Sequence, residues 1–177
     1  PDGIYDDPNG GKLRKYIYPR LRYHFHFINE LKLFSEVDHH LQFSINIYSN
    51  TPTLYFTSIA NVFHPKTIDD SFEHDGMGKT GGIKDDSNSW NLRGHKNRIL
   101  LIDEEILDMF SSLYSVDNIT TMESRLPAIH SQELLKVLNK FNSQAQRLES
   151  IAKHFHSTEM WHETNSQRDG TIKRNTC

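Results

Sequence analysis

Residues 12–48, KLRKYIYPRLRYHFHFINELKLFSEVDHHLQFSINIY, decide the fold, because the apolar period changes twice within them. Leu13, Tyr16, Ile17 and Leu21 recur at helical spacing, so a helix is expected from Lys12. Pro19 has no amide hydrogen and disfavours a helical residue before it, so it should end or kink that helix. In residues 22–28, Tyr23, Phe25 and Phe27 then alternate with Arg22, His24 and His26, the pattern of a half-buried strand. A second alternating run fills residues 42–48, with Phe43, Ile45 and Ile47 on one face. The connector between them holds Leu31, Leu33 and Phe34, followed by a polar run to His40. Two strands so joined pair most simply as an antiparallel hairpin. A helix feeding such a hairpin is what the closing edge of an α/β sheet looks like.

Outward from this unit, residues 1–11 are turn-forming, with Asp-Gly, Asp-Asp-Pro and Asn-Gly-Gly in succession. Residues 54–56 and 59–63 offer further short strands. Residues 64–90 are rich in Asp, Gly and Ser and lack periodicity, so they are expected to be a flexible loop or linker. Regularity returns at residues 98–102, a short strand or helix lead-in. Asp103 is a natural cap, Glu104 and Glu105 suit a first helical turn, and Ile106, Leu107, Phe110, Leu113 and Tyr114 form a stripe. A further helix is expected from Ser131, with Leu134, Leu135, Val137, Leu138 and Phe141 as its apolar residues. Another should start at Ser143, where Gln146 completes a capping-box pattern. The expected organisation is therefore three segments: 1–63, the linker 64–90, and a mainly helical 91–177.

Composition limits the functions available. The chain has 177 residues, 36% of them hydrophobic, which supports only a modest core, while 11% aromatics argue against disorder throughout. No apolar run approaches the roughly 18 residues of a membrane span, and no secretory leader is visible. The single Cys177 cannot build a disulfide framework or a thiolate metal site, so a cytoplasmic setting is expected. Pro1 stands where an initiator methionine would, and a piece of a larger polypeptide is expected. The net charge of −3 points to no nucleic acid by itself. Between residues 12 and 32, however, Lys12, Arg14, Lys15, Arg20, Arg22 and Lys32 face only Glu30, a basic stripe of the kind that meets phosphates.

Residue chemistry offers no complete active site. His24 and His26 share a strand face, His39 and His40 follow Asp38, and His154 and His156 lie near a helix end. No HExxH is present and no third ligand converges, so no metal site is assigned and polar histidines on a solvated face are expected. There is no Gly-x-Ser-x-Gly elbow. Residues 75–82, DGMGKTGG, lack the phosphate-loop spacing and a preceding strand, so they are expected to be a flexible loop.

The helix–strand–connector–strand unit of residues 3–48 resembles part of the adenine-N6 DNA methyltransferases, chiefly the large type IIG restriction–modification and phage-defence enzymes. Leu13-Arg14 matches the family's Leu-Arg helix, Leu33-Phe34 its Leu-Phe step, and residues 43–48 its closing strand. Residues 90–95, 158–165 and 169–174 also look like the continuation toward target recognition in such enzymes. The resemblance implies the C-terminal edge of a Rossmann-like methyltransferase sheet followed by a mainly helical segment. It implies S-adenosylmethionine as the cofactor and double-stranded DNA as the partner.

The Gly-rich cofactor motif and the Asn-Pro-Pro-aromatic motif are both absent, so no catalytic residue is assigned and these residues should not methylate DNA alone. By the same resemblance, Phe34 is the wall on which an extruded adenine stacks, flanked by Arg20, Arg22 and Lys32 as phosphate contacts. Arg93, Lys96, Arg98, Arg168, Lys173 and Arg174 are further candidate DNA contacts. The rival readings are a non-enzymatic DNA-binding or protein-interaction module and, third, a histidine-dependent metal hydrolase.

Overall fold

The computed structural model describes residues 3–114, 119–144 and 162–173. The chain forms two units, residues 1–143 and 144–177. The first carries helices α1 (Gly3–Asp6), α2 (Gly11–Ile17), α3 (Lys66–Glu73), α4 (Glu104–Tyr114) and α5 (Gln132–Asn142). Among the described residues its strands are β1 (Leu21–Ile28), β2 (Gln42–Tyr48), β3 (Tyr55–Val62) and β4 (Leu100–Asp103). In the second unit, α6 (Glu163–Arg168) starts at His162, whose Nδ1 accepts the Asn165 amide at 3.3 Å. The helix expected from Ser143 and the residues His154, His156, Met160 and Trp161 lie outside the described residues.

The expected hairpin is present: β1 pairs antiparallel with β2, Phe25 opposite Ile45 and Phe27 opposite Phe43. The sheet is mixed, in the order β2-β1-β3-β4, with β3 parallel to β1 and β4 antiparallel to β3. The reversal through β2 lets β3 start in the same direction as β1 and pair on its other side. The fold class is thus mixed α/β.

One sheet face carries the main core, where Leu21, Phe56, Leu100 and Ile102 pack with Tyr5, Tyr18, Leu107 and Phe110. Against expectation, His24 and His26 point into this covered side and are 3% and 2% exposed. Each ring has a polar partner, His24 Nδ1 with Asn46 Oδ1 at 2.7 Å and His26 Nε2 with Gln42 Oε1 at 3.2 Å. The ring of His24 also lies 4.4 Å from that of Tyr5, because the N-terminal turns fold back over the strand. The other face carries a smaller cluster of Phe27, Ile59 and Val62, joined by Phe25, Phe43, Ile68 and Ile99.

The face of α2 also departs from expectation. Leu13 and Tyr16 are exposed, whereas Arg14 is fully buried. The apolar spacing is satisfied instead by Ile17, Tyr18 and Leu21, which run through the 3-10 turn Tyr18–Arg20 that contains Pro19. The helix ends at Ile17, as the proline requires.

The division of the chain falls after Ser143 and not at the expected linker 64–90. That stretch contains α3 and an ordered turn around Asp85, whose carboxylate accepts the Ser87 and Ser89 amides at 2.9 Å each. Trp90 stacks on Phe63 at 4.7 Å and lies under the Lys84 ammonium at 4.6 Å. Gly94 lets the following segment lie directly on α3, where an added Cβ would collide with the Ser71 amide and Asp70. Asp103 caps α4 as expected, accepting the Ile106 amide at 3.0 Å. Among the described residues, no helix is long and apolar enough to cross a membrane.

Candidate functional site

The β1–β2 connector is built on one buried side chain. Asn29 follows β1 at zero exposure, and its amide oxygen accepts the Phe34 amide at 2.9 Å. Its amide nitrogen donates to the Phe34 carbonyl at 2.9 Å and the Asp38 carbonyl at 3.2 Å. Both backbone polar groups of Phe34 are therefore held by a single side chain, which fixes where the ring emerges. Lys32 turns the chain in the left-handed region, φ 52°, and closes the 3-10 turn Asn29–Leu31 through a 2.7 Å bond to the Asn29 carbonyl.

Phe34 itself is 56% exposed. Its ring packs nearly perpendicular to that of Phe43, with centroids 5.0 Å apart, and Phe43 stacks in parallel on Phe27 at 5.1 Å. With Leu33, Val37, Leu41 and Phe43 it lines an open apolar cleft of ≈ 460 Å³. That size is within the roughly 300–1,000 Å³ of small-ligand pockets. Such a cleft offers a ring face and aliphatic walls and suits a flat, largely apolar group.

The basic residues expected around Phe34 are not gathered there. Arg20 and Arg22 sit at the start of β1, and Lys32 follows its end, so the strand separates them by roughly 23 Å. Arg22 is engaged by the β2–β3 turn, donating to Thr53 Oγ1 at 2.7 Å and to the Thr51 carbonyl. Arg20 donates to the Asn50 carbonyl at 3.2 Å from an exposed position. Arg93 and Lys96 are exposed, as are Arg168 and Lys173 in the second unit, while Arg174 lies outside the described residues. Arg98 differs from all of these, being fully buried with its guanidinium on the carbonyls of Arg93, Ala60 and Asn61 at 3.0–3.2 Å. It has no surface from which to reach DNA, because it holds the bulge of β3 in place.

That bulge centres on Asn61, at φ 56°, whose amide donates to His26 Nδ1 at 3.3 Å. Nearby, His130 is 6% exposed, and burial together with the charge of Arg98 pushes its imidazole down to about 4. The Gly81 and Gly82 backbone and the Glu133 carboxylate oppose this shift only weakly. The unfolded chain therefore takes up a proton near pH 6.5 that the folded chain refuses until about pH 4. Stability contributed by neutral His130 should be complete above pH 6.5 and decline toward pH 4, by up to about 3 kcal/mol. His130→Gln should flatten that decline in urea titrations at pH 7.0, 5.5 and 4.5. A slope unchanged in the variant would assign the acid sensitivity elsewhere.

A second, polar cleft of ≈ 450 Å³ lies along the Gly-rich loop, lined by Lys79, Lys84, Arg93, His74 and His95 among others. The loop expected to be flexible is tied down there, with Asn91 Nδ2 donating to the Gly82 carbonyl at 2.8 Å and Thr80 bonded to Glu133 at 3.0 Å. Asp85 and Asp86 share the lining, so its charge is mixed and selects no anion.

Sequence reasoning missed Asn29, Asn61 and Arg14 as organising residues. The available signal for Asn29 was an Asn directly after an alternating strand, a residue type that bonds local backbone and favours turns. Comparison with known proteins gives no match to a family model, a curated protein or a solved structure.

Proposed function

We propose that this chain is part of a cytoplasmic adenine-N6 DNA methyltransferase, forming the edge of its Rossmann-like sheet, and that Phe34 stacks on the extruded adenine. The observation that carries the reading is the Asn29 clamp, which pins an exposed aromatic at both backbone groups beside an open apolar cleft. An extruded base loses two stacking neighbours, and an aromatic face returns about 1–3 kcal/mol without reading its edge. A wall fixed before the base arrives has little left to order on binding. S-adenosylmethionine and the amino-group-holding motif would belong to a part of the enzyme outside these residues. Arg20, Lys32, Arg93 and Lys96 remain the exposed candidates for phosphate contact in the first unit.

The test is fluorescence anisotropy of the 177-residue chain with a duplex holding one unpaired adenine, beside the matched duplex. Phe34→Ala should weaken binding to the unpaired site by about 5- to 150-fold, with Phe34→Trp near wild type. In an intact enzyme, Phe34→Ala should likewise lower methylation more than Phe34→Trp. Equal behaviour of the two variants would remove the stacking role.

A protein-interaction module is the second reading, supported by the partly uncovered sheet face. Tyr23, Ile45, Ile47 and Leu101 are all exposed on that side, and Phe72 of α3 meets Tyr23 edge-on at 6.4 Å. Absence of DNA binding at low salt, where phosphate attraction is strongest, would favour it.

A further inference from the structure

We propose that Glu30, His39 and His40 form a binding site for a divalent transition-metal ion of the zinc class. The three residues come from opposite ends of the β1–β2 connector. Glu30 lies in the turn directly after β1, and the histidines lie just before β2. The ends are held together by the Ile28–Gln42 strand pair and by a 3.0 Å bond from the Asn29 amide to the Leu41 carbonyl. The convergence is thus a product of the hairpin and does not depend on the metal.

One donor atom from each residue lies within 4.8 Å of the other two. His39 Nδ1 and Glu30 Oε2 are 3.1 Å apart, and the two imidazole rings are 3.7 Å apart between centroids. Tetrahedral zinc with bonds near 2.0–2.1 Å places its ligand atoms about 3.4 Å apart, so small side-chain rotations close the set. Two imidazoles and one carboxylate suit zinc, cobalt or nickel, whereas magnesium and calcium prefer oxygen alone. Three protein ligands leave a fourth position for water.

Asp38 supplies the outer support. Its Oδ1 accepts the His40 amide at 2.7 Å and meets His40 Nδ1 at 3.1 Å, a contact that orients the ring and suits coordination through Nε2. The Glu30 side chain is 15% exposed and that of His39 43%, which leaves the site open to solvent ions while limiting its mobility. A bound ion would tie the two ends of the connector that presents Phe34. The site stands on its own geometry and is independent of what Phe34 contacts.

Calorimetric titration of the full chain with zinc chloride tests this, with cobalt(II) absorption as a second readout. With eleven histidines present, stoichiometry and variants must be read together. Glu30→Gln and His39→Ala should each remove the tightest zinc equivalent and the tetrahedral cobalt bands. His74→Ala should leave both unchanged. Asp38→Asn should weaken that equivalent by about 10- to 100-fold, the usual effect of losing a support behind a ligand. Magnesium should not compete. Retention of the tightest equivalent in Glu30→Gln, a nearly isosteric change that preserves the fold, would overturn the proposal, and so would equal competition by magnesium.

Discussion

Arg14→Ala should cost about 3–5 kcal/mol of stability, lowering the melting temperature by about 6–20 °C. The guanidinium is fully buried and joins three separate turns. Nη1 donates to the carbonyls of Ile4 at 2.9 Å and Asp7 at 2.7 Å, while Nε and Nη2 both donate to the Glu123 carbonyl at 2.9–3.0 Å. Gly10 makes room for it, since a Cβ there would lie 2.7 Å from Nη1.

Truncation leaves the Ile4 and Glu123 carbonyls without this donor and the Asp7 carbonyl with the Gly10 amide alone, a buried unpaired carbonyl costing about 1–3 kcal/mol, less the desolvation cost that the charge itself carried. Arg14→Lys keeps the charge but not the planar guanidinium fork whose separate nitrogens reach these carbonyls, so it should recover less than half of the loss. A melting shift below 2 °C for Arg14→Ala would mean that water replaces the donor and that these turns are held elsewhere. The neighbouring Tyr18, whose hydroxyl donates to the Ser124 carbonyl at 2.8 Å, has its phenol pushed up by burial and belongs to the same buried seam.

Arg98→Ala should also lower stability by about 3–5 kcal/mol, and this separates two roles for the residue. Burial brings its guanidinium down to about 10, still protonated at neutral pH, with three backbone carbonyls as its hydrogen-bonding partners. Two of those carbonyls, Ala60 and Asn61, belong to the bulge that re-aims Val62 into the second core cluster. A phosphate contact would behave in the opposite way, with melting unchanged and the salt slope of DNA binding reduced by about one. Lys96→Ala, at an exposed position two residues earlier, should change stability by no more than about 0.5 kcal/mol. Thermal melts of the two variants side by side decide the matter, and an unchanged melt for Arg98→Ala would restore it to the candidate DNA contacts.

Both arginines lay within the sequence reading as surface cations, and both are internal. Lone arginines are seldom buried without a partner, and no carboxylate is near in sequence to suggest otherwise. Their partners are backbone carbonyls, a feature every residue carries and no motif marks. The donors and acceptors are also distant in sequence: Arg14 and Glu123 are 109 positions apart. The candidate cleft was only half legible for the same reason. Phe34 could be singled out from its resemblance, whereas its clamp, Asn29, and the metal-ligating convergence of Glu30 with His39 and His40 depend on the connector's closed path.

What the sequence by itself determined is the set of features whose physics is local. Alternation of Phe25 and Phe27 against Phe43 and Ile45 specified the hairpin and its register, since a slip of one residue would turn both apolar rows outward. Pro19 stopped α2, and Asp103 capped α4, because a missing or a supplied hydrogen bond acts within one turn. Only the tertiary structure decided that β3 joins β1 in parallel, that α2 buries Arg14 in place of Leu13, and that His24 and His26 lie inside. Those outcomes turn on which face of each element meets its neighbours. Periodicity names a face as apolar, but a polar face is also buried wherever distant backbone can satisfy it, and that supply is known only once the chain has closed on itself.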